Sequence, residues 1–330
     1  MKHYSIFVYS FFLLWSTNVH ADQALPVVLV HGLLADTHQM KPLEGYIEKY
    51  LPNTYVKNIQ LGLGKFTSFW NMYAQTEWLA QELQNDPELA GGFNMICHSQ
   101  GGLVGRYYLQ RYNNPPVHTY ISLGTPHMGV CGTPGTYDNR FFWLNLLETY
   151  AYQLLYTSFF QNFVSFAGYW RDVNNYDLYL AKCRFLPLLN NEKDHDLQLI
   201  FRQNITNLKN MVLIAAQQED IIEPAESCHF GYYRPDSFGT VTQSLTESDY
   251  FKENALGIKD LYESDRLHLL FADCDHINLQ HNEQNFVNNA LPFLLADDMN
   301  YDEIVAAGQA NGEEEPAIVE DEVVSPEITA

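Results

Sequence analysis

Three kinds of side chain stand in an order that could do nucleophilic chemistry: a serine at 99, a carboxylate at 219 or 220, and a histidine at 276. A serine hydroxyl is a weak nucleophile at neutral pH, so it needs a histidine to take its proton and an acid to orient that histidine. Ser99 lies in Asn94-Met95-Ile96-Cys97-His98-Ser99-Gln100-Gly101-Gly102-Leu103-Val104, an apolar run that stops at the serine and restarts as a helix. A strand that enters a helix through so tight a turn holds its turn residue in a strained conformation, with the side chain above the sheet. Gly101 supplies the second glycine of the Gly-x-Ser-x-Gly pattern, but Cys97 replaces the first. Taken alone, the string fits an ordinary strand-to-helix turn as well as a nucleophile's turn, so its partners must decide.

The partners follow in the order serine, acid, histidine. Leu269-Leu270-Phe271-Ala272-Asp273-Cys274-Asp275-His276 is an apolar run and a short loop ending in histidine, which makes His276 the candidate base. His281 sits deeper in the next helix and is the weaker choice; a surface histidine is the bland reading. Met211 to Pro224 offers two adjacent carboxylates, Glu219 and Asp220, of which one can face His276. Asp is the commoner triad acid, whereas an apolar anchor three residues on, Ile222, selects Glu219 and leaves Asp220 as the alternative. Oxyanion donors are expected from the backbone N–H groups of Gln100 and Leu33, the latter after the tight His31-Gly32 pair. There is no H-E-x-x-H and no EF-hand loop, and Gly62-Leu63-Gly64-Lys65 lacks the P-loop spacing, so no metal or cofactor is implied.

These residues need a scaffold that delivers them to one edge. Pro26–Val30, Thr54–Ile59, Phe93–Cys97, Val117–Leu123, Met211–Ala216 and His268–Ala272 read as six strands. Helices are expected over Ser68–Asn85, Leu103–Tyr112 and Gln284–Leu295. The alternation predicts an α/β fold with a mainly parallel central sheet and helices on both faces, its site beyond the carboxyl ends of the strands. One interval, about 130–208, is too long for a crossover; its residues 141–170 hold 12 aromatics and one charge, Glu148. It reads as an aromatic-rich lid insertion, with Phe141, Phe142, Trp143, Phe159, Phe160, Phe163 and Trp170 as candidate substrate-binding side chains. Helices packing aromatics on the sheet, or a transient membrane contact through the lid, are the other uses of that composition.

Residues 1–21 read as a secretory signal, with Lys2, an apolar Ile6–Trp15 and a small-residue cleavage site at Val19-His20-Ala21. This implies the secretory pathway, lysosomal in a eukaryote and periplasmic or extracellular in a bacterium. Residues 22–295 would form one domain. Residues 297–330 carry 11 acids and no bases, half the net charge of −22, so 296–330 is expected to be an acidic, disordered tail. Such acidity argues against nucleic acid as a partner. Nothing in the sequence calls for a second subunit, and a monomer is expected. Five cysteines at 97, 131, 183, 228 and 274 show no C-x-x-C spacing and permit at most two disulfides of undetermined pairing; Cys97 reads as a small core thiol.

Several stretches together resemble the palmitoyl-protein thioesterases, α/β-hydrolases that cleave fatty acyl thioesters. They are His31-Gly32-Leu33, Cys97-His98-Ser99-Gln100-Gly101-Gly102, Tyr169-Trp170-Arg171-Asp172, Phe230-Gly231-Tyr232-Tyr233, Leu256-Gly257-Ile258-Lys259 and Asp275-His276. The cysteine two before the serine, and Asp177-Leu178-Tyr179-Leu180, are similar to the palmitoyl-protein thioesterase 2 branch. The resemblance spans roughly Pro26 to Leu295. It implies a serine thioesterase with the acyl-binding region in the long insertion, a fatty acyl thioester as substrate, and the acid at Glu219, where the family normally carries Asp. An oxygen-ester lipase, suggested by Gly124-Thr125-Pro126-His127-Met128-Gly129, and a non-catalytic lipid-binding protein are the competing readings.

Overall fold

Alternate residues of the first strand feed two different cores. In β1 (Val27–Val30) all four side chains are buried, Val28 and Val30 on one face and Val27 and Leu29 on the other. A strand buried on both faces must carry apolar residues at every position, and parallel sheets covered by helices demand such strands. The computed structural model, which describes residues 24–131, 152–235 and 237–312, has six parallel strands, the inner ones buried in this way and the two edge strands partly exposed. The six are β1, β2 (Val56–Ile59), β3 (Phe93–His98), β4 (Val117–Leu123), β5 (Asn210–Gln218) and, after a two-stranded hairpin of β6 (Tyr232–Tyr233) and β7 (Thr242–Gln243), β8 (Leu267–Asp275). Their order in the sheet is β2-β1-β3-β4-β5-β8. The six expected strands are all present, each within a few residues of its expected ends.

Helices α2 (Met72–Gln84) and α3 (Gln100–Arg111) cover one face of the sheet, and α1 (Lys41–Tyr50) covers the other. The expected helix over Ser68–Asn85 begins later. A short 3-10 turn, Lys65–Phe69, comes first, and Asn71 caps α2 by accepting from the Tyr73 N–H at 2.9 Å. The cause is that the Ser68 carbonyl is committed elsewhere: it accepts from Gln75 Nε2 at 3.0 Å, Gln100 Nε2 at 2.7 Å and Ser165 Oγ at 3.1 Å. The helix expected over Gln284–Leu295 is a mixed one, with a π turn at Phe286–Ala290 and a 3-10 turn at Leu291–Phe293 around Pro292.

Two expectations are corrected. The interval 130–208 is not wholly a lid, because its last helix, Gln198–Thr206, packs on α3 with Phe201 and Ile205 buried and so serves as the crossover between β4 and β5. The segment 296–330 is not wholly disordered, because Tyr301–Gly312 is a helix packed on α1. Its Tyr301, Ile304 and Val305 lean on the second core and Gly308 lies against the Tyr50 ring. These four positions are spaced i, i+3, i+4, i+7, one stripe of a helix. Averaging charge over the whole stretch hid that stripe.

Two glycines show how tightly the elements are pressed together. A Cβ on Gly101, at the start of α3, would fall within contact of the His31 carbonyl oxygen and 2.8 Å from that of Val30, whereas a Cβ on Gly45 of α1 meets nothing within 4 Å. Gly101→Ala should therefore destabilise by about 3 kcal/mol, and Gly45→Ala should stabilise by about 0.5–1 kcal/mol. Urea denaturation of the two variants beside the parent chain checks both signs.

Candidate active site

The tight turn between β3 and α3 places Ser99 at φ 53° and ψ −128°, a region costly for any residue with a side chain. The strain is held by what surrounds it. The Ser99 N–H donates to the Leu123 carbonyl at 2.8 Å, and its own carbonyl accepts from Gly102 N–H at 3.0 Å and Thr125 Oγ1 at 2.9 Å. Gly102 leaves room for that threonine side chain, as Gly101 leaves room for β1. Cys97 meets α3 at Gly105, where a Cβ would lie 2.6 Å from its sulfur, and burial pushes its thiol well above the usual range. It is an inert packing group. None of the five cysteines forms a disulfide.

His276 follows β8 directly, and Glu219 follows β5, its neighbour in the sheet. The Nδ1 of His276 lies 2.9 Å from one Glu219 carboxylate oxygen and 3.0 Å from the other. Both side chains are almost wholly buried, at 2% and 1% exposure. Oε1 of Glu219 also accepts from the N–H groups of Ile221 at 3.0 Å and Ile222 at 2.9 Å. A buried carboxylate survives only with such compensation. The pairing of β5 with β8 shifts register between Ala216 and Gln218, just before the acid, and bulges of this kind re-aim a side chain. Asp220 is exposed, and so is His281.

His98 separates the two halves of the site. Its Nε2 donates to the His276 carbonyl at 3.1 Å, with the two rings 4.9 Å apart. Burial, with the neighbouring His276 adding to it, drives the His98 pKa down to about 3, so the ring is neutral across the working range. His127 of the lipase-like Gly-Thr-Pro-His segment has a different task. It is sunk beneath β4, with Nε2 donating to Ser122 Oγ at 3.0 Å and Nδ1 accepting from Arg106 at 3.3 Å. Burial, and then Arg106, hold it far below the ordinary histidine range. That segment is a structural brace rather than a second base.

The loop after β1 is fixed by the Gln39 and Ser68 side chains and by the Leu61 backbone. Gly32 N–H donates to Gln39 Oε1 at 3.0 Å, Leu34 N–H to Ser68 Oγ at 2.7 Å, and His31 Nε2 accepts from Leu61 N–H at 3.2 Å. Gln100 is locked through its side chain, which donates to the Ser68 carbonyl and accepts from Tyr169 Oη at 3.0 Å. Leu33, Ser99 and His276 line one narrow hollow of about 70 Å³. Its remaining walls are mostly apolar, among them Pro126, Val130, Ile221, Ile222 and Ile277, with Phe166 and Tyr169 from the aromatic interval.

Of the aromatics singled out in the sequence, Phe141, Phe142 and Trp143 lie outside the described residues. Trp170 is buried in the core, Phe160 packs on it from the side, and Phe159 and Phe163 are exposed at 64% and 61%. None of these four lines the hollow at Ser99; Phe166 and Tyr169, a few residues on, do. Tyr169 stood in the Tyr-Trp-Arg-Asp motif and was within reach of sequence reasoning. The isoleucines were legible only as loop residues, since nothing in their local pattern says which way they face.

The model of the family described as palmitoyl protein thioesterase matches residues 26–276. Palmitoyl-protein thioesterase 3 of Dictyostelium discoideum is 37% identical over 82% of this chain and 92% of its own length. Palmitoyl-protein thioesterase 1 of Caenorhabditis elegans is 32% identical over 79% and 89%, and lysosomal thioesterase PPT2 of Homo sapiens 31% identical over 76% and 80%. Among solved structures, mature lipase BlEst2 of Bacillus licheniformis covers 83% of this chain and 93% of its own at 15% identity and a TM-score of 0.45, too distant to add to what the sheet order gives. With a match over most of its length and relatives of this identity, the chain belongs to the palmitoyl protein thioesterase family.

Proposed function

We propose that this thioester hydrolase works on fatty acyl thioesters through an acyl-enzyme on Ser99. The observation that carries the reading is the buried Glu219 carboxylate 2.9 Å from His276 Nδ1, with Ser99 and His276 on the wall of the same hollow. With Nδ1 held as a donor, Nε2 of His276 is left as the acceptor for the Ser99 hydroxyl proton. Ser99 Oγ attacks the thioester carbonyl, and the N–H groups of Gln100 and Leu33 receive the oxyanion. The C–S bond then breaks. A thiol has a pKa near 8.5, so it departs as the thiolate and then takes the proton that His276 received from Ser99, which restores the base. Water, losing its proton to His276, attacks the acyl-enzyme, and collapse of the second intermediate returns the proton to Ser99 and releases the fatty acid. The apolar walls suit an acyl chain and give no partner to a charged one.

We place the protein in the secretory pathway, and in the lysosome of a eukaryotic host. The supports are the leader-like pattern of residues 1–21 and relatives named lysosomal thioesterase. No helix among the described residues is long and apolar enough to cross a membrane. A surface contact with lipid is a separate matter. Phe66, Trp70, Leu154, Phe159 and Phe163 are all large and exposed. The segments carrying them are tied together by Asn71 Nδ2 donating to the Gln161 carbonyl at 2.9 Å and Ser165 N–H to that of Phe69 at 2.8 Å. Exposed aromatics grouped in this way fit the interfacial zone of a bilayer.

Ser99→Ala should lose about 10³-fold or more in kcat, and Glu219→Gln a similar amount, because a triad works as a unit. Asp220→Asn should stay within about two-fold, as exposed substitutions do. Stopped-flow or steady-state hydrolysis of an S-octanoyl thioester measures all three, and a collapse in Asp220→Asn alone would move the acid. Turnover of that thioester should exceed that of the matched oxygen ester by about ten-fold, since an alkoxide needs the proton a thiolate does not. A reversed preference makes the protein a lipase. Finally, Phe66→Ser with Phe159→Ser should weaken sedimentation with phosphatidylcholine vesicles, and equal sedimentation of parent and variant removes the lipid contact.

A further inference from the structure

A second hollow, of about 320 Å³, lies beside the first along the same two segments. Pro126 and Val130 line the hollow at Ser99 while Met128 lines this one, and Tyr169 lines the first while Arg171 and Asp172 line the second. Val130 and Trp170 are bridged to each other between the two, with Arg171 N–H donating to the Val130 carbonyl at 2.8 Å. Two residues of extended chain cover only about 7 Å. The family-like stretches that the catalytic site left unused meet here: Arg171 and Asp172 from one, Tyr179 from another, Tyr232 from a third.

The charges around this hollow do not cancel. Among the described lining residues Arg171 is the one cation, against Asp172, Glu192, Asp249 and Glu253; Asp249 is paired with Lys252 at 2.8 Å and Glu192 with Arg171, which leaves Asp172 and Glu253. The guanidinium is held in the wall by its outer end: Nη2 pairs with Glu192 at 3.0 Å and the group stacks on Tyr176, Tyr179 and Tyr232 at 4.6–5.4 Å from their centroids. The second oxygen of Glu192 is taken by the Tyr179 hydroxyl. Asp172 is different. It is 4% exposed, Oδ1 accepts from the Asn174 N–H at 2.9 Å, and Oδ2 is buried with no partner. Arg171 Nε and the Tyr250 hydroxyl, on the same walls, also lack partners. Buried polar groups left open in this way are costly unless something fills them. An anionic ligand would meet the carboxylates of Asp172 and Glu253, and an apolar one would leave Asp172 bare. An organic cation satisfies both the charge and the open acceptor, and tyrosine faces suit it.

We propose that this hollow receives a basic side chain, a primary ammonium or guanidinium, of the acylated polypeptide whose thioester is cut at Ser99. Oδ2 of Asp172 accepts from the cation, the tyrosine rings enclose its stem, and Arg171 Nε with the Tyr250 hydroxyl meets carbonyl oxygens of the peptide backbone. The inference rests on the thioesterase reading and extends it from the acyl group to the leaving group. Since the hollows are neighbours, a residue one to three positions from the acylated cysteine is the one that reaches.

The test is a set of S-octanoyl cysteine peptides with lysine at one, two or three positions from the cysteine, each paired with its norleucine counterpart, and S-octanoyl-N-acetylcysteamine as a substrate with no basic group. The expected result is a kcat/KM about ten-fold higher for lysine than norleucine at one of these spacings, carried by KM. In Asp172→Asn that ratio should fall towards one. General attraction to an acidic protein survives in this variant, which changes one charge of a net −22, so loss of the ratio marks the local contact. Equal turnover of lysine and norleucine peptides at every spacing, or an undiminished ratio in Asp172→Asn, overturns the proposal while leaving hydrolysis of S-octanoyl-N-acetylcysteamine intact. If the parent enzyme cuts none of these substrates, the thioesterase reading itself has failed.

Discussion

The approach of helix α3 to the end of strand β1 is the constraint on which the site depends. At Gly101 the helix backbone rides against the carbonyl groups of Val30 and His31, and at Gly102 against Thr125, so no side chain fits at either position. This closeness is what bends the chain sharply enough to hold Ser99 in a strained conformation above the sheet. It also brings the loop after β1 beside the serine, close enough that a Cβ on Gly32 would lie 3.1 Å from that of Ser99. Ser99 and the loop that carries Leu33, the proposed nucleophile and oxyanion donor, are thus positioned by a single packing contact. Gly105 extends the same logic one turn on, where Cys97 takes up the space the helix leaves.

A second constraint is electrostatic. Glu219 and His276 are side chains that follow neighbouring strands, both removed from water, and such a pair is stable only when every lone pair and proton is placed. Glu219 meets that requirement with two backbone N–H donors in addition to His276. Asp, the residue the family resemblance implies here, is one methylene shorter. The longer side chain coincides with a register shift between β5 and β8 immediately upstream. His98 completes the arrangement from below by donating to the His276 backbone while remaining uncharged, which spares the site a competing proton.

The aromatic interval divides its labour in a manner composition could not foretell. Tyr169 reaches into the hollow at Ser99 and ties itself to Gln100, Trp170 is core, and Arg171 with Asp172 faces the second hollow. Four consecutive residues thus serve three environments. Phe159 and Phe163, on a helix of their own, face outward instead. A chain segment outside regular elements, as at residues 169–172, has no fixed period, and a count of aromatic residues carries no information about where each one points.

Much of this protein was legible from its residues alone. Buried parallel strands need apolar runs, which made the inner strands plain, while β2 (Val-Lys-Asn-Ile) offered only its β-branched ends; the chain order of Ser99, an acid and His276 follows from which strands deliver them. That Glu219 rather than Asp220 faces His276 was also within reach, because Ile222 anchors the turn three residues later. Other features required the tertiary structure. The late start of α2 depends on a Ser68 carbonyl whose donors come from residues 75, 100 and 165. The helix Tyr301–Gly312 forms because α1 offers Tyr50 to its glycine, against the acidity of its surroundings. The burial of Asp172 beside Arg171 and its ring of tyrosines likewise joins segments far apart in the chain. Sequence records periods and neighbours within a few residues, and so it determined the strands, the turn and the order of the chemistry. Which groups share a cavity is set by contacts between segments far apart in the chain, and that was decided only when the sheet and its helices packed.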